Sequence, residues 1–175
     1  MTERKNRPWL YLILAVIVIG LDQLSKWLVV AYLEPVGSLK LIPDFLHLTY
    51  LENEGAAFGT LSDHRWVFMI SSTVAIVALG VYLFRFAENN RLLRWALAFV
   101  LGGGIGNMID RIALGYVIDF IDFCGIWRYI FNVADSFVCI GMGMLALYVL
   151  LTIRNELKGN KQAHSADVQD DGGQS

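Results

Sequence analysis

Residues 136–153 read SFVCIGMGMLALYVLLTI, an uncharged apolar run close to the length of about 20 residues that crosses a bilayer as a helix. Immediately before it stands FNVADSF, residues 131–137, which puts Asn132 and Asp135 at the mouth of the run. An ionised Asp at the centre of a helix in lipid costs roughly 2.5–3.5 kcal/mol even on the milder insertion scales. Such residues are either compensated or used.

Three more apolar runs lie upstream. Trp9–Leu33 is interrupted by Asp22, Gln23, Ser25 and Lys26, Trp66–Phe84 carries no charge, and Leu92–Ile109 is broken by Arg94 and Asn107. Together they predict four transmembrane helices at about 9–33, 66–85, 92–111 and 136–154. Composition agrees: the 175 residues are 56% hydrophobic and only 17% charged, with a mean hydropathy of +0.52, against roughly 25% charge in soluble domains. The net charge of −2 says little about partners. Two cysteines, Cys124 in a loop and Cys139 in an apolar run, make no disulfide framework and are expected to be unpaired. MTERKNR followed by an apolar run has the look of a signal peptide. No small-x-small site follows it, however, and the run continues, so the segment reads as a retained helix.

Arg4, Lys5 and Arg7 precede the first run, Arg85, Arg91 and Arg94 bracket the connection between the second and third, and Arg154, Lys158 and Lys161 follow the fourth. The positive-inside rule then puts both termini in the cytoplasm and the loops 34–65 and 112–134 outside. At 1.5 Å per residue, Asp22 lies about 20 Å from Trp9 across a core about 30 Å thick. Asn107, Asp110, Arg111 and Asp135 fall at a similar outer depth, while the inner halves of the runs are almost wholly apolar. In the first outer loop, SLKLIPDFLHLTYLENEGAAF partly alternates around Pro43-Asp44 and predicts a short hairpin or small sheet. GYVIDFIDF in the second loop alternates too. The stretch after Lys158 lacks aromatics and is expected to be disordered.

The motifs divide between packing and chemistry. In GGGIGNMIDR, residues 102–111, Gly102 and Gly106 form a small-xxx-small pair suited to helix contact. A nucleotide-binding glycine loop is excluded, since no strand precedes it. Asn107, Asp110 and Arg111 share a helix face by their spacing, and a polar face at the end of a membrane helix points to function. In DQLSK, Asp22 and Lys26 stand four apart. They form a neutralising ion pair, or Asp22 orients an active site; Ser25 and Lys26 do not face each other as a dyad would. Asp119 of VIDF and Asp135 of FNVADSF are each open to a bland reading, a loop carboxylate and a helix cap. As a pair, two carboxylates at a membrane surface share a proton, one acting as acid and the other as base, and so activate water. No HExxH, no His/Cys cluster (His47, His64 and His164 are scattered) and no GxSxG support a metal or serine mechanism.

DQLSK, NEGAAF, GGGIGNMIDR, VIDF and FNVADSF stand in the order and spacing of lipoprotein signal peptidase, or signal peptidase II, which this chain resembles up to about Arg154. The resemblance implies an aspartic endopeptidase of the bacterial inner membrane. That enzyme removes signal peptides from prolipoproteins just before a diacylglyceryl-modified cysteine. By motif, it implies Asp119 and Asp135 as the catalytic pair, with Asp22, Asn53, Asn107, Arg111, Asn132 and Ala134 supporting them or contacting substrate. It implies no cofactor, no metal and no nucleic-acid partner. It implies instead contact with membrane lipids and inhibition by the cyclic peptide globomycin. The expected fold class is an all-α integral membrane protein, four transmembrane helices with a small extracytoplasmic β-sheet formed by the outer loops. Residues 1–158 would be the membrane peptidase domain and 159–175 a disordered cytoplasmic tail. A proton-coupled transporter would need polar residues through the full depth, which the second run lacks. An accessory subunit would need the polar face but not two separated aspartates.

Overall fold

The computed structural model describes residues 9–55, 65–85 and 90–171. Four helices carry the chain: α1 (Trp9–Tyr32), α2 (Arg65–Arg85), α3 (Arg91–Ala113) and α4 (Val133–Asp171). Between them lie β1 (Ser38–Ile42), β2 (Leu46–Asn53), β3 (Val117–Phe123) and β4 (Ile130–Phe131), an antiparallel sheet in the order β1-β2-β3-β4. Among the described residues, three helices are long and apolar enough to cross a membrane: α1, α3 and the Val133–Asn160 part of α4. The protein is thus a multi-pass membrane protein. The apolar stretch Met69–Arg85 of α2 is shorter.

Helix α3 sits in the middle and packs on α1, α2 and α4. Its glycines allow the close approach. A Cβ on Gly102 would stand 2.7 Å from Val18 Cβ of α1, and one on Gly106 would stand 2.6 Å from Asp22 Oδ2. The expected small-residue contact is therefore made, and its partner is α1. On the other side Gly103 lies against the Ala134 carbonyl of α4.

Two apolar clusters bracket a polar layer. Leu83, Leu93, Leu97 and Leu101 pack with Tyr11 and Tyr148 at one end. At the other, Val29 and Leu33 of α1 pack on Ile118 and Phe120 of β3. Along α1, the buried Asp22 and Lys26 fall between these clusters. Much of the remaining helix surface is apolar and exposed, for example Val16, Ile17 and Leu24 on α1 and Ile70, Val74 and Val77 on α2. Apolar exposure on that scale marks surfaces that face a membrane or another protein.

The hairpin expected around Pro43-Asp44 is present, with Asp44 turning the chain at φ +57°. Strand β3 is buried continuously over Val117–Phe120 and does not alternate there, because both of its faces are covered. Two expectations shift. Helix α4 starts at Val133, three residues before the expected start, because Asn132 and not Asp135 is the residue that caps it. It also continues to Asp171 through much of the stretch expected to be a disordered tail. Residues 154–171 contain no proline and many good helix formers (Arg, Glu, Leu, Lys, Gln and Ala), so helix propensity runs past the apolar span. Arg4, Lys5, Arg7, His64 and the Ala56–Phe58 part of NEGAAF lie outside the described residues.

Candidate active site

The site begins with the entry into α4. Asn132 Oδ1 accepts from the Asp135 amide at 2.8 Å, and Asp135 Oδ2 accepts from the Asn132 amide at 3.2 Å. This reciprocal arrangement satisfies donors that a helix N-terminus otherwise leaves orphaned. The Ala134 amide, a third such donor, gives its hydrogen bond to Asp22 Oδ1 of α1 at 2.9 Å. The bland reading of Asp135 is therefore partly right: it closes a capping box. Both of its oxygens are held, since Asn107 Nδ2 donates to Oδ1 at 2.7 Å.

Asp119 of β3 is held in the same way. Asn53 Nδ2 of β2 donates to its Oδ2 at 2.7 Å, and Asn132 Nδ2 donates to its Oδ1 at 2.7 Å. Asn132 Nδ2 also donates to Asn107 Oδ1 at 3.0 Å. The partners fix the amide orientations. Asn132 Oδ1 faces an N–H, so its nitrogen turns to Asp119; Asn107 Oδ1 faces two donors, so its nitrogen turns to Asp135. Two asparagines thus link the two aspartates into one network. Asp119 is 1% exposed, whereas Asp135 is half-buried and leaves the pair open on its side.

Burial pushes the Asp119 carboxyl up to about 6. The Asn53 amide favours the carboxylate, the Asp135 charge opposes it, and the Asn132 amide and Lys26 charge favour it in turn. A carboxyl poised there changes protonation near neutral pH, as acid–base work requires.

Behind the pair lies a buried charge cluster. Lys26 Nζ is 2.9 Å from Asp22 Oδ2 and 2.8 Å from Asp110 Oδ2, and it donates to Asn107 Oδ1 at 2.9 Å. Lys26 thus uses its three donors on three residues. Gln23 Nε2 donates to Asp110 Oδ1 at 2.8 Å, and Asp110 Oδ2 accepts from the Ile118 amide at 3.2 Å, tying α3 to β3. Of the sequence-derived residues, Asp22, Asn53, Asn107, Asn132, Ala134 and both aspartates join one network. Ala134 enters through its backbone alone. Arg111 stands apart from the aspartates, its Nη1 donating to the Asn107 carbonyl at 3.4 Å. Sequence reasoning gave Lys26 and Gln23 no place in the site, and put Asp110 on the polar face of α3 without a role. The i,i+3 spacing of Asn107 and Asp110 had put the last on that face.

One expectation is corrected here. The histidines are not all scattered: His47 lies beside Asp122 and Cys124, ligand atoms of the three falling within 4.8 Å of one another. The antiparallel pairing of β2 with β3 puts residue 47 opposite residue 122, a closeness that distance along the chain hides.

Comparison with known proteins identifies the family and the fold. The family model for signal peptidase (SPase) II matches residues 14–151. The lipoprotein signal peptidase of Brevibacillus brevis is 48% identical over 143 residues, covering 82% of this chain and 95% of that protein. That of Clostridioides difficile is 43% identical over 141 residues, covering 81% of this chain and 95% of the relative. A solved structure described as a bacterial membrane enzyme superimposes with a TM-score of 0.74 at 34% identity, covering 83% of this chain and 90% of that one.

Proposed function

The chain belongs to the signal peptidase II family, an aspartic peptidase family that removes signal peptides from prolipoproteins, and from that membership we propose that Asp119 and Asp135 activate the attacking water. The observation that carries the proposal is the shared amide network. Both oxygens of each carboxylate are held by Asn53, Asn107, Asn132 or the Asn132 backbone. Each carboxylate keeps lone pairs free for water and substrate.

With one proton between the two, the ionised carboxylate takes a proton from water as its oxygen attacks the scissile carbonyl carbon. The protonated partner hydrogen-bonds the carbonyl oxygen as negative charge develops there. Collapse of the tetrahedral intermediate breaks the C–N bond, and the leaving amine receives the proton. Asp22 and Lys26 act one layer back. Asp22 secures the first turn of α4 through the Ala134 amide, and Lys26 orients Asn107.

The substrate is a prolipoprotein whose cysteine carries diacylglycerol, and the acyl chains hold it in the leaflet at about 0.8 kcal/mol per buried CH₂. Its scissile bond then rests at headgroup depth, where α1, α3 and α4 carry their polar residues. The enzyme is set in the bacterial inner membrane with four spans, α2 among them, both termini cytoplasmic and the aspartates near the outer face. Globomycin, a cyclic peptide, and membrane lipids are its further ligands. A reporter active only in the periplasm should work when fused after Asp63 and be silent after Asn89 or Lys158; the reverse pattern would invert the orientation. The direct test of function is cleavage by purified protein alone. A diacylglyceryl-modified peptide should be cut before its cysteine and the unlipidated form left nearly intact. Equal cutting of both would remove the lipid requirement, and no cutting of either would return the site to a transporter or subunit role.

A further inference from the structure

Outside the aspartate network, the sheet carries a second cluster of chemically able side chains. His47 on β2 is directly opposite Asp122 on β3, and side chains so paired share a face within reach of each other. Cys124 follows two residues beyond Asp122, in the turn that leaves β3. A ring nitrogen, a carboxylate oxygen and the thiol sulfur of these three half-buried residues lie within 4.8 Å of one another. Asp122 Oδ2 accepts from Thr49 Oγ1 at 3.0 Å, an outer partner of the kind that steadies metal ligands. His47 Nε2 is shielded from solvent and has no hydrogen-bond partner, alone in this among the described residues. A buried polar nitrogen without a partner is costly, and a cation would satisfy it.

We propose that His47, Asp122 and Cys124 form a zinc site with its fourth position open to water. The donor set selects the ion: nitrogen and sulfur exclude magnesium and calcium, and a mixed N, O, S set suits zinc. Zinc bonds of about 2.0–2.3 Å in tetrahedral geometry set ligands about 3.3–3.8 Å apart, so side-chain movements of about 1 Å complete the site. On binding, the Cys124 thiol gives its proton to solvent. The nearest cation in register, Lys40 opposite His47 on β1, is exposed and stands one strand further from Asp122.

The ion is a clamp and not part of the peptidase chemistry. Along β3, Asp122 and Asp119 fall on opposite faces, so the site is back-to-back with the aspartate network. It joins the two strands that supply Asn53 and Asp119. The clamp therefore stabilises the part of the sheet on which the network is built.

The test uses the full chain in detergent, stripped by a chelator and titrated with Zn²⁺ against a chromophoric competitor, and in parallel with Co²⁺. One Zn²⁺ per chain, a thiolate-to-Co²⁺ charge-transfer band and a dose-dependent rise in melting temperature are expected. His47→Gln and Cys124→Ser should each weaken Zn²⁺ binding at least about tenfold, and Cys124→Ser should remove the band. His64→Gln with His164→Gln should change neither. Retained cleavage of lipidated peptide reports that the variants are folded. Should they not fold, the wild-type Co²⁺ spectrum decides, and absence of a thiolate band overturns the site. So does a wild type that binds no stoichiometric Zn²⁺, or binding that survives both ligand substitutions.

Discussion

Asn132 is where capping and catalysis meet, and two substitutions separate them. Its side-chain oxygen caps α4, while its nitrogen reaches Asp119 Oδ1 at 2.7 Å and Asn107 Oδ1 at 3.0 Å. Asn132→Ser keeps a capping oxygen and withdraws the amide; Asn132→Ala removes both. Loss of a cap costs about 1 kcal/mol, so the Ala variant should melt lower than the Ser variant by that margin. Both lose a hydrogen bond to a carboxylate, about 1.5–3 kcal/mol, which lowers kcat/KM roughly 10- to 150-fold if the bond is needed in the transition state. The amide favours the charged form of Asp119, so without it the carboxyl rises above about 6. Whichever limb of the pH–rate profile Asp119 governs must then move to higher pH in both variants. The assay is cleavage of a diacylglyceryl-modified peptide in detergent across pH, beside thermal unfolding of the same samples. A profile that stays in place or moves to lower pH would refute the reasoning, as would a Ser variant with wild-type kcat/KM.

Lys26→Met leaves Asp22 and Asp110 buried without their cation. It should destabilise by about 3–5 kcal/mol, read as a lowered melting temperature; an unchanged one would show that the cluster is not charged as described. Gly106→Ala forces a Cβ to within 2.6 Å of Asp22 Oδ2 and should cost about 1–3 kcal/mol together with activity. Gly143→Ala meets nothing within 4 Å and should stay within about 0.5 kcal/mol of wild type. Cleavage should survive serine-directed reagents, thiol alkylation and EDTA, and the Cys124→Ala, Cys139→Ala double variant should remain active. Inactivation by EDTA with rescue by zinc, in protein whose melting temperature EDTA leaves unchanged, would overturn the aspartic chemistry.

The four helices were legible as apolar runs, three of them long enough to cross a membrane, and the hairpin because Pro43-Asp44 interrupts an alternating run. The Asp22–Lys26 pair was legible as an i,i+4 spacing, yet its two readings were not rivals: Asp22 holds Lys26 with one oxygen and the Ala134 amide with the other. What stayed hidden depends on tertiary register. Gln23 and Asp110 meet across α1 and α3, and no local pattern announces that contact. His47 meets Asp122 through strand pairing whose register shifts between Leu48 and Leu51, so counting along the chain does not find it. The start of α4 was misread because Asp135 and Ser136 interrupt the apolar pattern within its first turn, so that the continuous apolar signal begins only at Phe137. Arg111 came from the motif as a supporting or substrate-contacting residue, and its guanidinium donates to the Asn107 backbone carbonyl.

The central claim is that two particular carboxylates share the work of water activation. Its most direct test is single-turnover cleavage of a diacylglyceryl-modified peptide by Asp119→Asn, Asp135→Asn and Asp122→Asn, each checked for folding in detergent and for binding of globomycin. The first two changes are nearly isosteric, and each deprives the pair of one proton-carrying member, so both variants should bind and fail to cleave. Asp122 bonds to Thr49 on the far face of β3, and its variant should retain much of the wild-type rate. Near-normal turnover by Asp119→Asn beside an inactive Asp122→Asn would move the chemistry to the other carboxylate. Normal cleavage by all three would contradict the aspartic mechanism altogether.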